Sequence, residues 1–176
     1  TGAPVFRPMM LAHPLDVDEL DTLALDDVAI EWKWDGIRVQ IAAGNGVARL
    51  YSRTGEDIGG TFPDLLTHAT FDAVLDGELL IVRDGRVGPF SDLQQRLNRK
   101  SVTAKMLKSF PAHIRLYDAL WIDGEDLRSL PFAERRDRLE ALLAHVRDDA
   151  LDGPRGIDEH HLARDSGADR VDEGLH

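Results

Sequence analysis

The stretch Glu31-Trp32-Lys33-Trp34-Asp35-Gly36-Ile37-Arg38 sets the reading of the whole chain. Strand alternation predicts Glu31 and Lys33 on one face and Trp32 and Trp34 on the other. Asp35-Gly36 predicts a turn, with Arg38 on the strand that follows. A lysine amine is a nucleophile only when neutral, and apolar surroundings or a neighbouring cation favour that state. Trp32 and Trp34 are candidates for the first role and Arg38 for the second. A lone K-x-D-G is short enough to arise by chance, and a surface lysine at a strand end explains it equally well.

Working outward, the first thirty residues read as an entry segment punctuated by Pro4, Pro8 and Pro14. From Ile30 the character turns to β. Residues 37–42 and 47–52 flank Gly44-Asn45-Gly46, a hairpin signal. Residues 73–82 read as a buried strand, with a tight turn at Asp84-Gly85 leading to Arg86-Val87. Ser91 followed by Gln94 has the capping-box spacing and predicts a helix through about Arg99. A second helix is expected over 101–109. Residues 113–122 return to strand and end at Asp123-Gly124. Pro131 opens the longest helix, with Leu139, Leu142, Leu143 and Val146 as its apolar stripe. Beyond Gly153-Pro154 a short helix is expected over 158–166. Strands and helices interleave without βαβ regularity, which predicts an α+β fold with a mostly antiparallel sheet.

Composition removes several classes of function. Across 176 residues there is no cysteine, which excludes disulfides, thiolate zinc sites and a cysteine nucleophile. No apolar run reaches the ~20 residues of a membrane helix, and no signal peptide is visible. The net charge of −11 argues against a generic nucleic-acid coat protein. The charge is unevenly spread, however: residues 83–115 carry eight Lys/Arg against only Asp84 and Asp92. Such a local surface can still meet phosphate, although a solvated face accounts for it on charge alone. His160-His161 has no matching ligand spacing and reads as a pair of exposed side chains.

The Lys33 stretch does not stand alone. Lys33-Trp34-Asp35-Gly36-Ile37-Arg38 resembles the K-x-D-G-x-R motif of covalent nucleotidyltransferases: ATP-dependent DNA ligases, RNA ligases and mRNA capping enzymes. Further blocks follow in that superfamily's order. Ser52-Arg53-Thr54-Gly55-Glu56 resembles the ligase S-R-x-G-E/D block, and Leu75-Asp76-Gly77-Glu78-Leu79 the D-G-E strand motif. Leu116-Tyr117-Asp118 with Trp121-Ile122-Asp123-Gly124 resembles the aromatic-Asp motif. Glu173-Gly174-Leu175 resembles the start of the E-G-L motif. Five blocks in order, with a ligase-like stretch at 89–100, point to the adenylation domain of an ATP-dependent DNA ligase. Arg38 and the Arg53 block fit the ATP class better than the NAD class. The alternatives are an RNA ligase or capping-type enzyme with the same lysine chemistry, and a nucleotide-binding fragment that is catalytically incomplete.

The resemblance implies an α+β nucleotidyltransferase (ATP-grasp-like) fold, with an entry segment over 1–30 and the adenylation domain over 31–176. In the family a K-x-K motif and an OB-fold domain follow the E-G-L motif. Neither is in this sequence, so the adenylation domain is expected to be incomplete at its C-terminus. Lys33 would attack the α-phosphate of ATP and carry AMP. Glu31 would lie near the adenine edge, Arg38 and Arg53 would contact ribose and phosphates, and Tyr117 would stack on adenine. Glu78 would accept from a ribose hydroxyl or join Glu173 in holding Mg²⁺ or Mn²⁺. Arg96, Arg99 and Lys100, in the basic stretch, are the candidate DNA contacts. The implied partner is nicked double-stranded DNA, bound by a cytoplasmic, nucleoid-associated bacterial monomer without a membrane.

Overall fold

The computed structural model describes residues 4–24, 28–97, 99, 101–149 and 157–159, with 147–149 and 157–159 described as backbone. These residues divide into two units, one of residues 4–13 with 33–159 and one of residues 14–32. The smaller unit holds one turn of helix, α1 (Val17–Leu20), whose Glu19 carboxylate accepts from the backbone N–H of Asp16 at 3.0 Å. Its Leu15, Val17, Leu20, Leu23, Ile30 and Trp32 are exposed.

The larger unit is built on an antiparallel sheet. Its elements run β1 (Ile37–Gly44), β2 (Val47–Ser52), α2 (Pro63–Leu66), β3 (Ala73–Arg83), β4 (Arg86–Val87), α3 (Phe90–Gln94), α4 (Ala104–Ser109), β5 (Ala112–Ile122), β6 (Glu125–Asp126), α5 (Phe132–Asp149) and β7 (Ile157–Glu159). The strand order is β2-β1-β3-β5-β6, with β4 paired to β3 and β7 paired in parallel to β5. The hairpins turn where the sequence predicts. Asn45-Gly46, Asp84-Gly85 and Asp123-Gly124 all take positive φ, as two-residue turns on twisted strands require.

Alternation along the three central strands divides the sheet into an apolar and a polar face. Val39, Ile41, Leu75, Leu79, Ile114 and Leu116 have no exposed surface. Phe62, Leu65 of α2, and Leu139 and Leu143 of α5 complete that core. Burying each such side chain contributes about 1.5–3 kcal/mol. The expected apolar stripe of α5 is therefore what holds it to the sheet. One ion pair assists: the buried Arg135 guanidinium donates to both carboxylate oxygens of Asp118, at 2.8 and 2.9 Å. The aspartate of the aromatic-Asp block thus serves to anchor a helix.

The opposite face presents Arg38, Gln40, Asp76 and Glu78. Residues 4–10 cross it as an irregular strap. The amide of Gln40, fully buried, accepts from the N–H of Arg7 at 2.7 Å and donates to its carbonyl at 2.9 Å. The Tyr51 hydroxyl donates to the Pro4 carbonyl at 3.0 Å. Arg7 lies over the Trp121 ring at 5.3 Å, and Met10 packs on Ala42, Val74 and Leu120.

Four local expectations are corrected. Residues 31–34 form no strand, because the chain pairs with β3 only from Ile37 onward; the alternation expected of Glu31 to Trp34 is absent. The helix expected through Arg99 is the short α3, ending at Gln94, and no side-chain cap bond opens it at Pro89. Its continuation is interrupted where Arg96 turns inward. The next helix starts at Ala104 rather than 101, because the Thr103 hydroxyl accepts from the N–H of Met106 at 3.2 Å. Ile157–Glu159 is a strand on β5 instead of the start of a helix; the remainder of 158–166 lies outside the described residues.

Gly77 marks the tightest approach of β3 to β5, beside a register shift between Asp76 and Gly77. A Cβ there would lie 2.6 Å from the Arg115 carbonyl oxygen and 2.8 Å from Ile114. Backbone cannot yield as a side chain can. Gly77→Ala is expected to lower stability by about 1–3 kcal/mol, read as a lower urea midpoint at unchanged slope.

Candidate active site

The Lys33 segment reaches the sheet through a bend at Asp35-Gly36. Gly36 is tight against β3: a Cβ would stand 2.3 Å from the Leu79 carbonyl oxygen and 3.0 Å from the Glu78 side chain. Only glycine lets the bend close there. This close seat brings the turn after Lys33 onto the D-G-E strand. Lys33 itself is exposed. Trp34 lies beneath Arg115, whose guanidinium carbon sits 4.0 Å from a Trp34 ring centroid.

Arg38 occupies the centre of the polar face. Its Nε and Nη2 donate to Asp76, at 3.1 and 2.5 Å to Oδ2, and Nη2 also donates to the Met10 carbonyl at 2.6 Å. The Asp76 side chain has no exposed surface. Such a carboxylate is tolerated only with charged and hydrogen-bonding partners. Burial works against the charge on Arg38, but its bonds to Asp76 and the carboxylate field hold its pKa above the ordinary value. Arg38 also lies over the Tyr117 ring at 5.8 Å. Its Nη1 makes no hydrogen bond among the described residues.

Arg38, Glu78 and Arg115 share one cross-strand row, Arg38 opposite Glu78 on β1–β3 and Glu78 opposite Arg115 on β3–β5. Burial pushes the Glu78 carboxyl up despite the Gly36 N–H and the Arg38 charge. No ion pair engages it among the described residues. No group of three His, Cys, Asp or Glu side chains there is arranged as a metal centre.

The structure thus gathers Arg38, Glu78 and Tyr117 with the bend that carries Lys33. Arg53 stands exposed at the tip of a closed turn, in which Gly55 N–H donates to the Ser52 carbonyl at 2.9 Å and Ser52 N–H to the Glu56 carbonyl at 2.8 Å. Gly55 also rests on Phe6 of the strap. Glu31 is exposed and belongs to the smaller unit. Glu173 and Lys100 lie outside the described residues.

Arg96 is a correction. It has no exposed surface, so it does not contact DNA. Its guanidinium is held by both Asp64 oxygens at 2.7 and 2.6 Å, by the carbonyls of Thr61 and Phe110, and by the Phe62 ring at 4.6 Å. Arg99 is exposed. The residues that sequence reasoning passed over are Asp76 as the partner of Arg38, and Arg115. Asp76 could have been found, since a charge inside Ala73–Arg83 demands a counter-charge. Arg115 carried no such signal.

A bent lysine segment, an ion-paired arginine and a D-G-E strand, joined on one sheet, define a nucleotidyltransferase domain of the DNA ligase kind. The chain belongs to the ATP dependent DNA ligase domain family, whose model matches residues 9–153. Among its relatives, the DNA ligase of Methanoculleus marisnigri is 42% identical over 153 residues, covering 80% of this chain and 27% of that protein. A probable DNA ligase of Opitutus terrae is 45% identical over 124 residues, covering 68% and 12%. Among solved structures, the ligase domain of M. tuberculosis LigD aligns with a TM-score of 0.58 at 29% identity, over 76% of this chain and 39% of that one. Mycobacterial DNA ligase D complexed with ATP and MES aligns at 0.57 and 28%, over 76% and 40%. The chain therefore spans a minor part of the relatives it matches. Among the described residues no helix is long and apolar enough to cross a membrane.

The raised Glu78 pKa has a consequence for stability. A carboxyl whose folded pKa exceeds its unfolded one costs nothing below the unfolded value, here 4.5, and costs stability as pH rises through the folded value. Glu78→Gln keeps the shape of the side chain without the charge. It is expected to raise the melting temperature at pH 7, and the gain should shrink to nothing as the pH falls below about 4.5, read by thermal denaturation across that range.

Proposed function

We propose that this chain carries the adenylation step of an ATP-dependent DNA ligase, with Lys33 as the nucleophile. The observation that carries the reading is the close seat of Gly36 on β3, where a Cβ would meet the Leu79 carbonyl oxygen at 2.3 Å and the Glu78 side chain at 3.0 Å; it brings the K-x-D-G bend onto the D-G-E strand beside Arg38. It gives separate sequence blocks a shared physical purpose.

In this reading the neutral Lys33 amine directs its lone pair at the α-phosphorus of ATP. The N–P bond forms, the bond from α-phosphorus to the bridging oxygen breaks, and pyrophosphate leaves with that electron pair. The amine proton passes to solvent. Positioning and charge neutralisation are what such a transfer asks of a protein. Arg38, with Nη1 uncommitted, and the exposed Arg53 offer forks for ribose and phosphate oxygens. Tyr117 offers a ring for adenine, and Glu31 reads the adenine edge. Glu78, half-buried and without an ion pair among the described residues, would hold a hard divalent cation, Mg²⁺ or Mn²⁺, with Glu173 as a second carboxylate. When bound, that ion neutralises phosphate charge. AMP then passes to the 5′-phosphate of nicked DNA, and the 3′-hydroxyl displaces it as the nick is sealed.

Intact-mass spectrometry after incubation with ATP and Mg²⁺ tests the first step. A gain of one adenylyl group by the wild type and none by Lys33→Ala is expected; equal labelling of both would remove Lys33 from the role. For DNA, backbone contact should dominate and be salt-sensitive. Arg99→Glu is expected to weaken binding of a nicked duplex in low salt, measured by anisotropy, with a smaller difference at high salt.

A further inference from the structure

Arg115 plays no part in the reading above, yet its surroundings are unusual. It stands on β5 opposite Glu78, in the row that ends at Arg38. No carboxylate pairs with it among the described residues, and its buried Nε makes no hydrogen bond. An arginine so placed ordinarily turns toward the nearest carboxylate. This one lies flat on Trp34 at 4.0 Å, the closest cation–ring contact among the described residues and well inside the ~6 Å reach of the interaction.

Trp34 is the residue between Lys33 and the Asp35-Gly36 bend. On the Gly36 side the segment is fixed to β3. On the Lys33 side the chain has no strand partner, since the sheet starts at Ile37. A flexible lysine needs its backbone fixed close by along the chain if its amine is to meet an electrophile reproducibly. The Trp34 ring pressed by Arg115 supplies the second fixed point, and it joins the segment to β5 just as Gly36 joins it to β3.

We propose that Arg115 is a positioning residue for Lys33, acting through its stack on Trp34; this rests on the Lys33 reading above. A planar guanidinium is what the stack needs, so Lys is a poor replacement. The geometry separates two roles. A residue that grips nucleotide would govern the ATP concentration dependence. A residue that orients the lysine governs the maximal rate of adenylation and leaves that dependence nearly unchanged.

The test uses the whole chain, four single variants, Arg115→Met, Arg115→Lys, Trp34→Leu and Trp34→Phe, and the Arg115→Met/Trp34→Leu double variant. The first readout is the Trp34 indole N–H peak in a ¹H–¹⁵N spectrum, assigned by its disappearance in Trp34→Phe. Arg115→Met and Arg115→Lys should shift that peak and leave the Trp32 and Trp121 peaks near their places. The second is single-turnover adenylation across ATP concentrations. Arg115→Met and Trp34→Leu should each lower the maximal rate by about tenfold to a hundredfold, with half-saturation within about twofold of wild type. Arg115→Lys should be little better than Arg115→Met, and Trp34→Phe should recover much of the rate. The Arg115→Met/Trp34→Leu double variant should be no slower than either single one. An unmoved indole peak, multiplying effects in the double variant, or a change confined to half-saturation overturns the proposal. If the wild type takes up no adenylyl group, the Lys33 reading fails, and the indole peak still reports separately on the stack.

Discussion

A carboxylate with no access to water sits in the middle strand of the sheet, and the polar face is arranged to satisfy it. Asp76 has no exposed surface, and an isolated charge there would be prohibitive. Arg38 on the neighbouring strand answers it with two nitrogens, and the carbonyl of Met10 takes part of what remains of that guanidinium. Arg38 is thereby held rigid between β1, β3 and the strap. In the role proposed for it, a rigid Arg38 spends no binding energy on being ordered, as a mobile one would. The pair matters for orientation more than for net stability, since desolvation offsets much of its attraction.

Much of this arrangement was legible in the sequence, and the reasons differ from element to element. The strands expected at 37–42, 47–52, 73–82 and 113–122, found at 37–44, 47–52, 73–83 and 112–122, were readable because apolar runs end at Asn-Gly and Asp-Gly pairs, whose backbone preference is local. The stripe of α5 was readable because Leu139, Leu143 and Val146 obey the helical period. Residues 31–34 misled because alternation describes side chains, while a strand also needs a partner backbone. Ile157–Glu159 misled for the reverse reason: a three-residue parallel strand exists only because Ile114–Leu116 offers an edge. The ordered motif blocks identified the family, yet the bonds that connect them cross 38 residues, as from Arg38 to Asp76, and no local pattern records these.

The basic stretch at 83–115 shows what a count of charges leaves out. Arg83 is paired with Asp92 and reaches the Ser109 carbonyl. Arg96 is sealed against Asp64 and Phe62. Arg115 lies on Trp34. Arg96 and Arg115 are thus turned inward, and Arg83, though exposed, is already paired, so the field available to an external phosphate is correspondingly smaller. Arginine suits this interior use, because its weakly hydrated plane can stack and donate at once.

The strap over the polar face bears on how the chain assembles. Its fastenings, Pro4 to Tyr51, Arg7 to Gln40 and Met10 to Arg38, span 47, 33 and 28 residues. The β1–β2 hairpin closes over a few residues, so it can form early, but the strap has no surface to lie on until β1 and β3 are paired. Such long-range closures are slow relative to local ones. On a ribosome, residues 4–10 are made before everything they bind and must wait, unpartnered, while the strands beneath them emerge. A segment made before its partners is therefore among the last to be placed, and Arg38 gains its Met10 partner only when it arrives.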